Sequence, residues 1–174
     1  MTVQPIETLR LTLRSTREED GPFCLSLWLD EEIGRYLADP PRDRADEAEL
    51  NFAKGIETDE GWYPFVAQRK ADGQLIGTCS LVPLDEAAGR WDLGYVLDKT
   101  CWRQGYGTEM VQGMIDFACQ RGGRIFTADV AKDNAASNAL LRKLGFKPVR
   151  EGTFRKRLTD IVYPSYTYQL EMPR

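Results

Sequence analysis

The sequence predicts a mixed α/β fold of the α+β kind, with a largely antiparallel sheet of about seven strands flanked by about four helices. Three observations carry this expectation. Residues 62–69, 75–84 and 91–97 are β-rich runs in series, joined by an Asp72-Gly73 turn and a turn at Gly89, which makes an antiparallel meander. The hydrophobic period then lengthens: Val111, Met114, Ile115 and Ala118 share one helical face within residues 108–121, and Gly122-Gly123 ends that helix. A further strand at 124–130 follows, so this stretch contains one strand-helix-strand crossover. With 174 residues, 42% of them hydrophobic, and neither repeat nor linker, the chain reads as a single domain over 1–174.

The remaining elements follow from local chemistry. Residues 8–14 alternate with Leu9, Leu11 and Leu13 on one face, the pattern of a strand. Thr16 and Glu19 have capping-box spacing before the apolar Phe23, Leu25, Leu27, Trp28 and Leu29, which predicts a first helix. Asp39-Pro40-Pro41 breaks the chain. Asp43 then caps an expected second helix that buries Ala45, Ala48, Leu50, Phe52 and Ala53. Asn134 opens a last helix closed by Gly145, and Phe154 and residues 165–171 fall in terminal strands.

Composition narrows the function. Twenty-three basic against 27 acidic residues give a net charge of −4, which argues against a general nucleic-acid binder and suits a cationic or amine substrate. The N-terminal residues form neither a signal peptide nor a membrane anchor, so a cytoplasmic location is expected. Cys24, Cys79, Cys101 and Cys119 show no paired spacing and read as buried or idle thiols. No histidine is present, which excludes histidine triads and histidine-ligated metals; no metal site is expected.

The chemistry concentrates after residue 90. Trp102-Arg103-Gln104-Gly105-Tyr106-Gly107-Thr108-Glu109 is a glycine turn opening the long helix, where backbone N–H groups and the helix dipole can grip a phosphate. It lacks the lysine and the glycine spacing of a nucleoside-triphosphate loop. A dinucleotide site is a rival, because Asp129 ends the next strand at a suitable distance, but Met110 stands where a third glycine belongs. Asn134 reads equally as a helix cap and as a cofactor contact. Asp92 is either a proton acceptor or a strand carboxylate paired with Arg90 or Arg124. Glu109 reads as a dipole partner. Arg142, Lys143, Lys147 and Arg150 read as solvated surface and dipole partners, while Trp62, Tyr163, Tyr166 and Tyr168 are either core or acceptor-pocket residues.

Trp102-x-x-Gly105-x-Gly107, followed by Asn134-x-x-Ser137 and Lys143-Leu144-Gly145-Phe146, resembles the GNAT acetyltransferase superfamily. With the opening Thr8-Leu9-Arg10-Leu11-Thr12-Leu13-Arg14, the chain is similar to its RimJ/RimL-type N-terminal acetyltransferase branch. The resemblance implies acetyl-CoA as cosubstrate, held at its pyrophosphate by Arg103, Gln104, Gly105, Tyr106, Gly107 and Thr108 and at its pantetheine by backbone of Tyr95, Val96 and Leu97. Asn134 and Ser137 would complete the cofactor site. Leu141 occupies the position where many members carry a tyrosine that protonates the thiolate; Ser137, one turn earlier on the same face, is expected in that role, as in the RimJ/RimL-like branch. Asp92 stands where relatives carry a glutamate and is expected as the base that takes the amine proton. Pro164 stands near the place where relatives carry an aspartate entering the last strand.

The implied activity is direct acetyl transfer to a primary amine, either a peptide or protein N-terminus or a small amine, by a monomer or homodimer. An acyl-CoA-binding sensor without turnover and a nicotinamide-dependent oxidoreductase are the alternatives.

Overall fold

A computed structural model of the chain describes residues 2–47, 51, 56 and 60–173. Its eight strands are β1 (Ile6–Glu7), β2 (Leu11–Ser15), β3 (Tyr63–Arg69), β4 (Leu75–Asp85), β5 (Arg90–Leu97), β6 (Ile125–Ala131), β7 (Lys147–Arg155) and β8 (Val162–Glu171). The described helices are α1 (Gly21–Trp28), α2 (Tyr106–Cys119) and α3 (Ala135–Lys143). The strands form one sheet in the order β1-β2-β3-β4-β5-β6-β8-β7, and β5–β6 is its parallel pair. The expected meander and crossover are therefore present, with one more strand than anticipated. The helix expected after Asp43 lies largely outside the described residues, Ala48, Leu50, Phe52 and Ala53 among them.

Strand alternation sorts the sheet into two faces. Leu11, Leu13, Phe65, Cys79, Leu81, Trp91 and Leu93 point toward α2, where Met110, Val111, Met114 and Ile115 complete the main core. Leu141 of α3 and Tyr168 of β8 belong to the same core. On the other face α1 covers β4, and the Trp28 indole donates to Thr78 Oγ1 at 3.0 Å.

Two expectations near the N-terminus are corrected. Leu9 is 88% exposed, because the chain bends between β1 and β2 and only Leu11 and Leu13 reach the core. The carboxylate that organises the first helix is Asp20, not Glu19: it accepts from the Arg17 backbone N–H at 2.8 Å and pairs bidentately with Arg14. Glu19 stays exposed beside Arg17. A capping motif read from spacing alone cannot distinguish adjacent acids, and the half-buried Arg14 fork selects the buried Asp20.

Candidate active site at the β5–β6 splay

β5 and β6 are paired only at Arg90, Trp91 and Asp92, opposite Ile125, Phe126 and Thr127. Beyond Asp92, β5 continues along β4 to Leu97 while β6 continues along β8, so a gap opens between them. The direction of the β5 backbone follows from one bond: Asp98 N–H donates to Ile76 C=O at 2.8 Å. Alternation along an antiparallel ladder then sends the Gly94 and Val96 amides toward β4 and those of Tyr95 and Leu97 into the gap. Tyr95 and Leu97 thus offer pairing groups to a ligand there. Val96 instead contributes its side chain to the opposite face. The Trp102 indole donates to Leu97 C=O at 2.7 Å and so fixes the end of β5 against the following turn.

That turn enters α2 with bare amides. Gly105 sits at φ +82°, a conformation costly for any residue with a side chain, and caps the helix. Arg103 also has a left-handed φ of +59° and is exposed. The N–H groups of Tyr106, Gly107 and Thr108 precede the first residue able to find an acceptor within the helix. The two glycines have different tasks: a Cβ on Gly107 would come 2.9 Å from Leu140 Cδ1, so this glycine lets α2 approach α3. The Tyr106 ring is buried beneath the Arg10 guanidinium, 4.2 Å from its centroid.

Sequence reasoning undervalued Glu109. It accepts from Thr8 Oγ1 (2.7 Å), Arg10 N–H (2.6 Å) and Arg10 Nε (2.7 Å), while Arg10 Nη1 donates to Gln104 C=O at 2.9 Å. One carboxylate thereby ties the segment before β2 to the glycine turn. Burial raises the Glu109 pKa, but these hydrogen bonds outweigh it and the net shift is downward. The partner, an arginine 99 residues away, left no local signal.

Asp92 lies at the apex of the splay, half-buried, and accepts a 2.6 Å hydrogen bond from Thr127 Oγ1. No arginine pairs with it among the described residues, so the expected alternative of an Arg90 or Arg124 partner is not what forms. Burial pushes its pKa up to about 6; the Thr127 bond opposes this and the nearby Asp129 charge adds to it. A carboxyl group so placed exchanges a proton close to neutral pH.

Across the gap, Asn134 caps α3 by accepting from Ser137 N–H at 3.2 Å, its expected structural role. Ser137 is half-buried and faces the Tyr95 phenol, whose pKa is pushed up to about 12, mainly by burial and against the influence of the serine hydroxyl. The two hydroxyls do not meet in hydrogen-bond geometry, and among the described residues the Tyr95 hydroxyl is buried without a partner. This phenol escaped sequence reasoning, which valued Tyr95 for its backbone alone. Leu141 is fully buried core. Tyr168 is core too: its hydroxyl donates to Asn138 Oδ1 at 2.7 Å, and Asn138 Nδ2 donates to Ala131 C=O.

On the α1 face, a cavity of about 290 Å³ is lined by Gly94 and Val96 from β5 together with Trp28 and Trp62. The basic Arg150 bonds Thr167, and Arg142 lies 6.0 Å from the Tyr168 ring centroid. Asp129 also accepts from Thr167, and among the described residues the sheet has a single parallel pair, which is not the doubly wound arrangement of a dinucleotide fold.

The pattern of the GNAT acetyltransferase domain matches residues 10–147, which span the splay, the glycine turn and α3. This chain belongs to the GNAT acetyltransferase family. It is an N-acetyltransferase by that membership. A Bacillus licheniformis protein described as an uncharacterized N-acetyltransferase, p20, is 30% identical over 157 residues, 88% of this chain and 86% of its own length. Among solved GNAT structures, RimL, a ribosomal L7/L12 α-N-protein acetyltransferase in complex with coenzyme A, superposes with a TM-score of 0.80 at 20% identity, covering 97% of this chain and 98% of RimL. A spermidine N-acetyltransferase from Vibrio cholerae, bound to CoA and spermine, gives 0.78 at 18% identity, with 93% and 95% covered. No helix among the described residues is long and apolar enough to cross a membrane.

Proposed function

We propose that the whole chain is one acetyltransferase domain in which acetyl-CoA and a primary amine meet at the β5–β6 splay and the acetyl group passes directly between them. The observation that carries this is the gap itself: unpaired Tyr95 and Leu97 amides and the glycine turn at 103–108 line the α2–α3 side, and Asp92 stands at the apex. First-turn amides of α2, with Arg103 beside them, take the pyrophosphate. The amides of β5 pair with the pantetheine arm, and Asn134 and Ser137 close the site from α3.

An ammonium has no lone pair, so attack requires loss of a proton, which Asp92 accepts directly or through water. The Leu97 N–H steadies charge on the acetyl oxygen, and Ser137 returns a proton to the departing sulfur with the Tyr95 phenol behind it. The acceptor is a peptide or protein N-terminus or a small amine, in keeping with what the RimL and spermidine acetyltransferase neighbours act on.

Calorimetry with acetyl-CoA, using NAD as control, followed by thiol release in the presence of peptides and small amines, tests this. Acetyl-CoA binding with amine-dependent release is expected. Release unaltered by Ser137→Ala would remove that hydroxyl from the mechanism, and failure to bind acetyl-CoA would overturn the site.

A further inference from the structure

The cavity on the α1 face shares β5 with the splay: Gly94, Tyr95 and Val96 line it, while the Tyr95 and Leu97 amides address the gap. Its walls include Trp28, Leu37, Ile56, Trp62 and Pro64, and the hydroxyls of Thr16, Thr78 and Ser80 also line it. The Trp28 indole N–H is bound to Thr78 Oγ1. Among the described lining residues Asp39 alone is charged, and it pairs with Arg157 at 3.4 Å. The loop that supplies Leu37 and Asp39 is held from the β7–β8 turn, where the buried Lys156 ammonium donates to Gly34 C=O at 2.7 Å and Leu37 C=O at 3.1 Å.

A polyamine needs separate anionic partners for its remaining ammonium groups, and an apolar substituent gains more than a hydroxymethyl group from an apolar wall. Among the described residues this cavity has a largely apolar, aromatic wall, and its one carboxylate is paired with Arg157. Its volume of about 290 Å³ lies near the small end of the roughly 300–1,000 Å³ range of ligand sites, room for one amino-acid-sized group.

We infer that the acceptor is an amine carrying a single apolar or aromatic substituent, such as a leucine-like N-terminal residue or an arylalkylamine, with that substituent seated between Trp28 and Trp62. The inference rests on the splay being the transferase site, and it ranks polyamines and serine N-termini below apolar amines as acceptors.

Four probes test it: phenethylamine, a peptide beginning with leucine, one beginning with serine, and spermine. Each is assayed for thiol release with saturating acetyl-CoA and, separately, for binding to the CoA-loaded protein through tryptophan fluorescence. The apolar amines should exceed the other two by roughly tenfold or more in kcat/KM, carried by KM, and show the same order in binding. Leu37→Glu, which leaves the Lys156 contact with the backbone intact, should lift spermine relative to phenethylamine. Equal or better use of spermine or the serine peptide by the unaltered protein would overturn the inference while leaving the transferase assignment standing. Apolar-selective binding without release on any probe would support the pocket and overturn the transferase site; binding without selectivity would sink the pocket.

Discussion

Thr127 donates a 2.6 Å hydrogen bond to Asp92 across the last rung at which β5 and β6 are paired. The bond favours the carboxylate while burial favours the acid, and the balance sets a pKa of about 6. As proton acceptor, Asp92 should give a rate that climbs through about pH 6 and levels above it. Thr127→Val removes the contact that stabilises the charge and should move that limb to higher pH. Asp92→Asn should lower kcat about 10²- to 10⁴-fold and abolish the limb, with acetyl-CoA affinity nearly unchanged. A pH–rate profile of the three proteins decides.

The same group should cost stability. Its folded pKa of about 6 lies above the ordinary aspartate value of 3.8, so the native state holds its proton more tightly than the unfolded chain. No penalty operates below the lower value; stability falls as pH rises between the two and stays reduced above. Asp92→Asn, whose side-chain oxygen still accepts from Thr127, should therefore be more stable near pH 7.5, by up to about 3 kcal/mol. Denaturant unfolding at pH 4 and pH 7.5 would show a gain confined to the higher pH.

Glu109→Ala should cost about 2–3 kcal/mol, because the Thr8 and Arg10 donors lose a partly buried carboxylate. Acetyl-CoA affinity should fall with it, since Arg10 also steadies the Gln104 carbonyl of the turn. The depressed pKa means that this stabilisation is complete above the ordinary glutamate value of 4.5 and disappears as pH falls through the lower folded one. Calorimetric titration beside acid unfolding of both proteins separates the two effects.

The two turn glycines should respond differently to alanine. Gly105→Ala forces a side chain into φ +82° and should cost about 1–2 kcal/mol and weaken acetyl-CoA binding. Gly107→Ala meets the flexible end of Leu140, so Leu140→Ala in the same chain should recover much of the loss. A double-mutant cycle showing no coupling between 107 and 140 would contradict the packing.

Lys156→Met should raise the acceptor KM several-fold without changing acetyl-CoA affinity, since both bonds of its ammonium hold the loop that walls the α1-side cavity. Burial lowers the pKa of this lysine, and the two carbonyls offset the cost of placing its charge there. Steady-state kinetics with each substrate varied in turn would expose the difference.

Local pattern made most of the sheet and the cofactor turn legible. Period-two runs and Asp72-Gly73 marked β3 and β4, and the glycines at 105 and 107 marked the start of α2. What stayed hidden depended on partners distant in sequence. Asp92 could have met Arg90 or Arg124, and only the parallel register placed Thr127 opposite it. Leu9 fitted a strand until a bend put it in water, and nothing near Tyr95 in sequence shows that its phenol turns toward Ser137. The choice between Glu19 and Asp20 needed the Arg14 side chain in space.

The seam of three rungs between β5 and β6 divides the sheet into β1–β5 and β6–β8, and each part is otherwise zipped along its own strands. Such a seam is the natural boundary of a partial unfolding unit, and a cofactor lying in the splay would act as the missing stitches. Amide exchange should then be faster in the free protein on either side of the seam, and slow in both halves together when coenzyme A is added.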